Sequence, residues 1–186
     1  MTTTPVLRKG QILISTIALG DHNFRHSLVL ICEHQDDEGS YGLILNRPIE
    51  ATPEIVRQAP FAEGRLFQGG PVQPESLQIL HPYGDYVPGS HTVLPNLFYG
   101  GDFSVLEKGF QNHGFDPEEC RFFLGYAGWQ PGQLDSEIEK GAWVVVSGNH
   151  DLILRTPADK QWSHAVKQHK QADPLFTNFP ENPEWN

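Results

Sequence analysis

Residues 121–140 read RFFLGYAGWQPGQLDSEIEK, and they contain a strand, a glycine-rich loop and a helix in direct succession. The mostly apolar residues 121–127 are typical of a buried strand. Residues 131–140 predict a helix that ends at Gly141, because proline is favoured in the first helical turn and glycine just after the last one. The next strand is predicted over residues 143–147, so strands and helices alternate in this part of the chain.

The loop over residues 125–132 resembles a phosphate-binding loop in outline, since it joins a strand to a helix. Pro131 removes a backbone donor from the start of that helix. The helix also carries three carboxylates, which would repel an anion and are typical of a solvated helix face: Asp135, Glu137 and Glu139. A neutral ligand, a backbone segment of a partner, or no ligand fits this loop better. Trp129 either fills the core or lines a cleft.

The N-terminal third of the chain predicts a meander of three strands. Residues 11–17 and 27–33 are apolar runs separated by a polar turn, and the second run is typical of a strand buried on both faces. A third strand is predicted over residues 42–46 and ends before Pro48.

The middle of the chain alternates a short helix with further strands. Thr52 is a predicted N-cap for a helix over residues 53–59. Strands are predicted over residues 65–68 and 76–81. Residues 82–101, rich in glycine and aromatic residues, predict a long ordered loop with at most short strands.

The C-terminal half predicts two more helices. Asp102 is a predicted N-cap for a helix over residues 103–112. This helix carries an apolar stripe, Phe103, Leu106 and Phe110, at the spacing of a helix face buried in the core. Residues 152–155 predict a strand that pairs in a hairpin-like manner with the strand at 143–147. Thr156 and Pro157 predict the start of a helix that continues to about residue 170, and residues 173–186 form a proline-containing tail.

The length and composition predict a single domain over residues 1–186. A chain of this size buries roughly 70% of its unfolded surface without a disulfide or metal. The net charge of −10 and the scattered basic residues argue against direct nucleic-acid binding. The longest apolar runs are far too short to span a membrane, and the N-terminus lacks an apolar signal-peptide core. We therefore expect a cytoplasmic protein without a membrane partner.

Two cysteines, Cys32 and Cys120, lie beside apolar strand-like sequence and predict reduced, buried thiols. No sequence pattern predicts a metal site or a catalytic nucleophile. The segment at residues 148–151, GNHD, matches one piece of a binuclear phosphoesterase site, but the upstream Asp-x-His that such a site needs is missing. His22 and His26 have ligand-like spacing, although no helix is predicted there.

Taken together, segments over nearly the whole chain resemble the AlgH/YqgE family of bacterial proteins. In chain order, they are residues 10–14 (GQILI), 24 and 27–31 (F and SLVLI), 33–34 (EH), 42–48 (GLILNRP), 69–72 (GGPV), 124–129 (LGYAGW), 132–134 (GQL) and 137–138 (EI). The resemblance implies an α+β fold in which a bifurcated mixed β-sheet curls into a pseudo-barrel, with about four helices packed against it. It implies no established reaction. The resemblance also implies a role in transcriptional regulation, but no helix-turn-helix pattern is present.

The leading functional hypothesis is a non-enzymatic regulatory protein that binds a small molecule or a protein partner. Polar side chains and glycine turns are expected to converge near one cleft as ligand-binding residues: His34, Asn46, Arg47, Gly69, Gly70, Gly125, Gly128, Trp129 and Gln133. No catalytic residue, metal ligand or cofactor is assigned, and the oligomeric state is open. One alternative is an enzyme that uses His34 as acid or base and Arg47 as an anion clamp. Another is a structural scaffold with an exposed apolar patch.

Overall fold

The computed structural model describes residues 6–16 and 18–172, which form an α+β fold of nine strands and four α-helices. The strands are β1 (Gln11–Ser15), β2 (Leu28–Gln35), β3 (Gly39–Ile44), β4 (Leu66–Gln68), β5 (Val72–His81), β6 (Ser90–Leu94), β7 (Leu97–Gly100), β8 (Arg121–Trp129) and β9 (Trp143–Ser147). The helices are α1 (Pro53–Gln58), α2 (Phe103–Gln111), α3 (Gln133–Glu139) and α4 (Ala158–Ala172). The α+β class is as the sequence predicts.

The nine strands form one large, mainly antiparallel sheet that branches at β8. The strand order is β6-β7-β5-β8-β3-β2-β1-β9, and β4 pairs with β8 outside this path. The β4–β8 pair is parallel, whereas the other pairs are antiparallel. Among the described residues the strand order is an open path, so the sheet is not closed into a barrel. The pseudo-barrel curl therefore stays a prediction.

The predicted N-terminal meander is confirmed, because β1 pairs with β2 and β2 pairs with β3, both antiparallel. The apolar run at the start of β2 is buried on both faces, which explains its lack of polar alternation. Leu28, Leu30 and Cys32 pack into one core cluster, while Val29 and Ile31 pack into a second. The sheet thus separates two apolar layers.

The capped helices begin where the sequence predicts. The Thr52 hydroxyl accepts a hydrogen bond from the backbone N–H of Ile55, and Asp102 caps α2 through Ser104 N–H at 2.9 Å. Helix α3 starts later than predicted. Gly132 takes a left-handed conformation as its N-cap, so Pro131 lies in the preceding turn and not in the helix.

The predicted strand over residues 152–155 is wrong. Residues Asp151–Arg155 form a π-helical turn, closed by a 2.8 Å hydrogen bond from Thr156 N–H to the Asp151 carbonyl. The Asn149 side chain accepts from Leu152 N–H at 2.9 Å and turns the chain at this point. Leu152 and Ile153 are both buried although they are adjacent, which a half-exposed strand does not allow.

Strand β5 is longer than predicted. It begins at Val72 and contains a bulge before Leu77, which hides its first residues from a period-two pattern. The predicted loop over residues 82–101 contains the short hairpin β6–β7, in agreement with the expectation of at most short strands. The predicted tail over residues 173–186 lies outside the described residues.

Both cysteines are free and buried, as predicted. None of the helices in residues 6–16 and 18–172 is long and apolar enough to cross a membrane.

Candidate functional site

Asn46 and Arg47, two of the predicted ligand-binding residues, lie at the start of β2 and hold that strand in place. The Asn46 side chain accepts from Leu28 N–H at 2.9 Å and donates to the His26 carbonyl at 2.8 Å. Arg47 Nη2 donates to Ser27 Oγ at 2.9 Å and to the Arg25 carbonyl. Burial lowers the pKa of Arg47, and Asp21 opposes that effect. Both side chains therefore stabilise the entry into the sheet.

His34 lies at the other end of the same strand. Its Nδ1 is 2.9 Å from Ser40 Oγ, its Nε2 is 3.5 Å from Asp36, and its side chain is only 10% exposed. With about 3.3 Å per step, the seven steps from Ser27 to His34, shortened by the bulge between Ile31 and Glu33, span roughly 20 Å. The structure thus does not bring His34 and Arg47 together.

The predicted glycines Gly69, Gly70 and Gly125 lie at one crossing of two backbone segments. Gly69 bridges two strands, because its N–H donates to the Leu124 carbonyl and its carbonyl accepts from Ile44 N–H, each at 2.8 Å. A Cβ on Gly69 would clash with the Gly125 carbonyl, and one on Gly70 would clash with the backbone of Tyr126. This crossing requires residues without side chains.

Gly128 differs from the other three glycines. It is exposed, pairs with Tyr41 between β8 and β3, and a Cβ there would make only an ordinary contact with the Tyr126 ring. Close packing therefore does not explain a glycine at this position.

Trp129 and Gln133 meet through the carboxylate of Glu137. The Trp129 indole N–H donates to Glu137 at 3.0 Å, that of Trp143 donates at 2.7 Å, and the Gln133 amide donates at 2.9 Å. Trp129 is 5% exposed and stacks on Phe24. The expectation that Glu137 lies on a solvated helix face is wrong, because the two indole donors hold its carboxylate against the core.

The nine predicted ligand-binding residues therefore lie in separate groups: the start of β2, the end of β2, the glycine crossing with Gly128, and the Trp129 network. Their ligand contacts stay a prediction, since most of their polar atoms bond to other parts of the chain.

A groove of about 370 Å³ lies between α1, β5 and the start of α2, and we call it the α1 groove. Its lining is mainly apolar, with Ile55, Ala59, Leu77, Ile79, Phe103, Leu124 and the backbone of Gly100 and Gly101. Three polar side chains complete it: Gln58, Glu75 and Gln78. Volume and lining both match those of small-molecule sites.

The glycine crossing positions one wall of the α1 groove. Strand β5 bulges between Val72 and Leu77, and Pro74 in the bulge packs against Gly125, which has a φ of 68°. The bulge turns the chain so that Glu75 lines the groove. The glycine crossing thus supports the wall of the α1 groove that β5 forms.

The opposite wall of the α1 groove comes from α1 and the start of α2. Helix α1 has no fully buried residue, so its apolar side chains remain available at the groove surface. Phe103, predicted to belong to the core stripe of α2, is only partly buried and lines the groove, whereas Leu106 and Phe110 are buried as predicted.

A cluster of polar and aromatic side chains joins β2, β3, β6 and β7, and we call it the tyrosine cluster. The Tyr99 hydroxyl donates to the Glu33 carboxylate, and His91 Nδ1 lies 3.4 Å from the same carboxylate. The Tyr41 ring stacks on Tyr99 at 5.3 Å, and its hydroxyl donates to Gln78 at 3.0 Å. Burial raises the pKa of both tyrosines, so they remain hydrogen-bond donors.

Sequence reasoning missed the α1 groove because its residues come from five elements with no common motif. The one sequence feature that could have indicated the groove is α1, a short helix whose apolar residues are not fully buried in the core. In residues 6–16 and 18–172, no group of three or more His, Cys, Asp or Glu side chains is placed to hold a metal ion.

Comparison with known proteins finds relatives that match nearly the whole chain. A family model described as AlgH-like matches residues 12–172. A protein named UPF0301 from Chlorobium chlorochromatii is 38% identical over 181 residues, which cover 97% of this chain and 96% of that protein. A UPF0301 protein from Cytophaga hutchinsonii is 35% identical over 184 residues, covering 97% of this chain and 100% of that protein.

Two solved structures share the fold. The solution structure of the AlgH protein from Pseudomonas aeruginosa has a TM-score of 0.72 and 27% identity, and the match covers 98% of this chain and 99% of that one. A crystal structure of protein DIP2367 from Corynebacterium diphtheriae has a TM-score of 0.68, 23% identity and 94% coverage of both chains, and it supports the fold alone.

Proposed function

Since this chain belongs to the AlgH-like family, we propose that it is a non-enzymatic regulatory protein and that it binds a small molecule in the α1 groove. The observation that carries the proposal is the groove itself, about 370 Å³ in volume, with a mainly apolar lining and three polar side chains. Sites of this size and composition bury a small ligand and orient it through few polar groups.

The polar side of the α1 groove indicates which ligands fit. Glu75 is its one titratable side chain, next to the amides of Gln58 and Gln78. A carboxylate beside an apolar surface favours a ligand with an apolar body and a cationic or hydrogen-bond-donating head. The net charge of −10 acts in the same direction and disfavours anionic ligands, nucleic acid included.

The lining of the α1 groove supports binding over catalysis. General acid–base chemistry needs a positioned donor and acceptor, and covalent catalysis needs an activated nucleophile. Among the residues that line the groove, Glu75 alone has a titratable side chain, and none is Ser, Thr, Cys, Lys or His. The groove therefore offers a ligand a mainly apolar surface and one charged side chain, that of Glu75.

The enzyme alternative, with His34 as acid or base and Arg47 as anion clamp, is less well supported. The two side chains lie at opposite ends of β2, and each is engaged by its neighbours. A substrate would have to reach over roughly 20 Å to touch both.

We assign the predicted glycines Gly69, Gly70 and Gly125 a positioning role toward the groove, because they support the β5 bulge that carries Glu75.

We also keep the pseudo-barrel curl of the β-sheet as a proposal. It is supported by the contact of Tyr99 on β7 with Glu33 on β2, strands that are not neighbours in the sheet.

A matched pair of probes tests the charge preference of the α1 groove. Hexylamine and hexanoate have similar apolar chains and opposite head charges, so a titration followed by NMR of the backbone amides compares the heads directly. We expect hexylamine to shift the amides of Leu77 and Leu124 at lower concentration than hexanoate. In Glu75→Gln the difference should shrink to less than about twofold. Equal binding of both probes to the wild type, or shifts confined to other parts of the chain, would contradict the proposal.

A further inference from the structure

Arg121, the first residue of β8, is a buried cation. It is 9% exposed, and its guanidinium donates to three backbone carbonyls: Leu45 at 3.3 Å, Leu154 at 3.3 Å and Thr156 at 3.5 Å. It also lies over the Phe67 ring, 4.9 Å from its centroid. Burial lowers the pKa of Arg121 to about 10, which leaves the group protonated near neutral pH.

The described residues give Arg121 no carboxylate partner. The ion pairs among residues 6–16 and 18–172 are His34–Asp36, Arg65–Glu118, His91–Glu33 and Arg155–Asp151. A guanidinium has five N–H donors, and the three carbonyls accept from both Nη atoms, so the described residues leave one Nη1–H and the Nε–H without an acceptor. Removing a charge from water without a counter-charge is costly, and an incoming anion would relieve that cost.

A groove of about 410 Å³ opens beside Arg121 between the start of β8 and the π-helical turn, and we call it the Arg121 groove. Two further arginines, Arg65 and Arg155, lie on its wall, together with His150 and the Asn96 amide. This concentration of basic groups contrasts with the acidic chain as a whole.

The two carboxylates of the Arg121 groove bond to groups other than Arg121. Glu118 forms an ion pair with Arg65, and Glu119 accepts a 2.6 Å hydrogen bond from the Tyr83 hydroxyl, which leaves the charge of Glu119 in place. Arg155 lies 3.0 Å from Asp151 at an exposed position. Among the described residues, Arg121 is therefore the buried cation of the groove that has no carboxylate in ion-pair contact.

We propose that the Arg121 groove binds the oxyanion of a small ligand, a carboxylate or a phosphate group. Arg121 is the principal donor, because a guanidinium presents paired N–H groups that match two oxygens of such a group. Arg155 and the Asn96 amide supply the rim. The site shares no lining residue with the α1 groove and takes the opposite ligand charge, so the two proposals succeed or fail separately.

The test is an NMR titration of the full chain with inorganic phosphate and, separately, with succinate, at constant ionic strength so that general screening does not change. We expect saturable shifts of the Arg121 side-chain Nε–H and of amides around Cys120 and Leu154. Shifts with phosphate alone, succinate alone or both identify the head group and support the site. No saturable shift with either anion would overturn it.

Variants assign the effect to the guanidinium. Arg121→Met keeps the length of the side chain and should weaken anion binding about tenfold or more, as expected for the loss of charged hydrogen bonds. The exposed Arg8→Met should leave it unchanged. If Arg121→Met does not fold, Arg155→Gln on the rim should weaken binding two- to threefold. Full affinity in a folded Arg121→Met, or in Arg155→Gln where Arg121→Met does not fold, would contradict the proposal.

Discussion

The Tyr99 hydroxyl donates a hydrogen bond to the carboxylate of Glu33, and this contact joins β7 to β2, two strands that are not neighbours in the sheet. The Tyr99 ring also lies between His91 and Tyr41, with centroid distances of 5.0 and 5.3 Å. A side-chain hydrogen bond, and not a backbone ladder, therefore connects β7 with β2.

Removing this hydrogen bond should lower stability without disturbing the ring packing. Tyr99→Phe keeps the stacked ring and loses the hydroxyl, and we expect about 1 kcal/mol less stability, since Glu33 is 41% exposed and water replaces part of the bond. Urea unfolding measures the change. Tyr86→Phe is the matched control, because Tyr86 is 73% exposed and should change stability by less than about 0.5 kcal/mol. Equal effects of the two substitutions would argue against a structural role for the contact.

Glu137 should be a structural carboxylate. Glu137→Gln keeps the shape, but its NH₂ group must face donors in either orientation: both indole N–H groups of Trp129 and Trp143, or the Gln133 amide. We expect a loss of about 1–3 kcal/mol, together with a change in tryptophan fluorescence. The neighbouring Glu139→Gln, on the exposed face, serves as the control. A Glu137→Gln protein as stable as the control would show that the indole bonds contribute little.

Alanine substitutions at Gly69 and Gly128 should lower the free energy of unfolding by different amounts. In Gly69→Ala the new Cβ meets the Gly125 carbonyl, so the backbone must shift, and a loss of about 2–3 kcal/mol is expected. In Gly128→Ala the new Cβ makes only ordinary contacts, and the change should stay below about 1 kcal/mol. Thermal unfolding compares the two proteins. A larger loss in Gly128→Ala than in Gly69→Ala would rule out close packing as the reason for the glycine pair.

The Cys120 thiol predicts a pH dependence of stability in the alkaline range. Burial, with Glu119 and Asp116 nearby, raises the pKa of Cys120 from 9.0 to about 12, while Arg65 opposes the rise. The unfolded chain therefore loses this proton first, so the stabilising contribution is present below pH 9 and is lost as the pH rises toward about 12.

Urea unfolding at pH 8.5 and pH 10.5 measures this contribution. The wild type should lose about 1–2 kcal/mol more than Cys120→Ala over this interval. Parallel losses in the two proteins would mean that the Cys120 thiol does not titrate differently in the folded state.

The elements that could be predicted from the sequence are those with local signals. The apolar run of β2 predicted a strand buried on both faces, and the residues Thr52 and Asp102 marked the starts of α1 and α2. The π-helical turn could not be predicted, because Leu152 and Ile153 are buried in the same core cluster as residues of α4, and a short sequence window does not contain that contact.

The candidate sites depend on contacts between distant residues, so the sequence predicted them less well. Gly69, Gly70 and Gly125 were predicted to bind a ligand, which stays a prediction, and in the fold they lie against other backbone segments. The α1 groove combines Ile55, Glu75 and Phe103, and the β5 bulge that brings them together has no periodic pattern. Arg121 looked like an ordinary strand end, and only the fold shows that its charge is buried.

A variant that fills the α1 groove tests whether a small molecule binds there. Gln58→Trp places a large ring in the groove, whereas Arg57→Trp places the same ring on an exposed neighbouring position of α1 that does not line it. An NMR titration with hexylamine compares the two proteins with the wild type. We expect at least tenfold weaker binding in Gln58→Trp and unchanged binding in Arg57→Trp. Equal affinity in all three proteins would contradict the assignment of the α1 groove as the binding site.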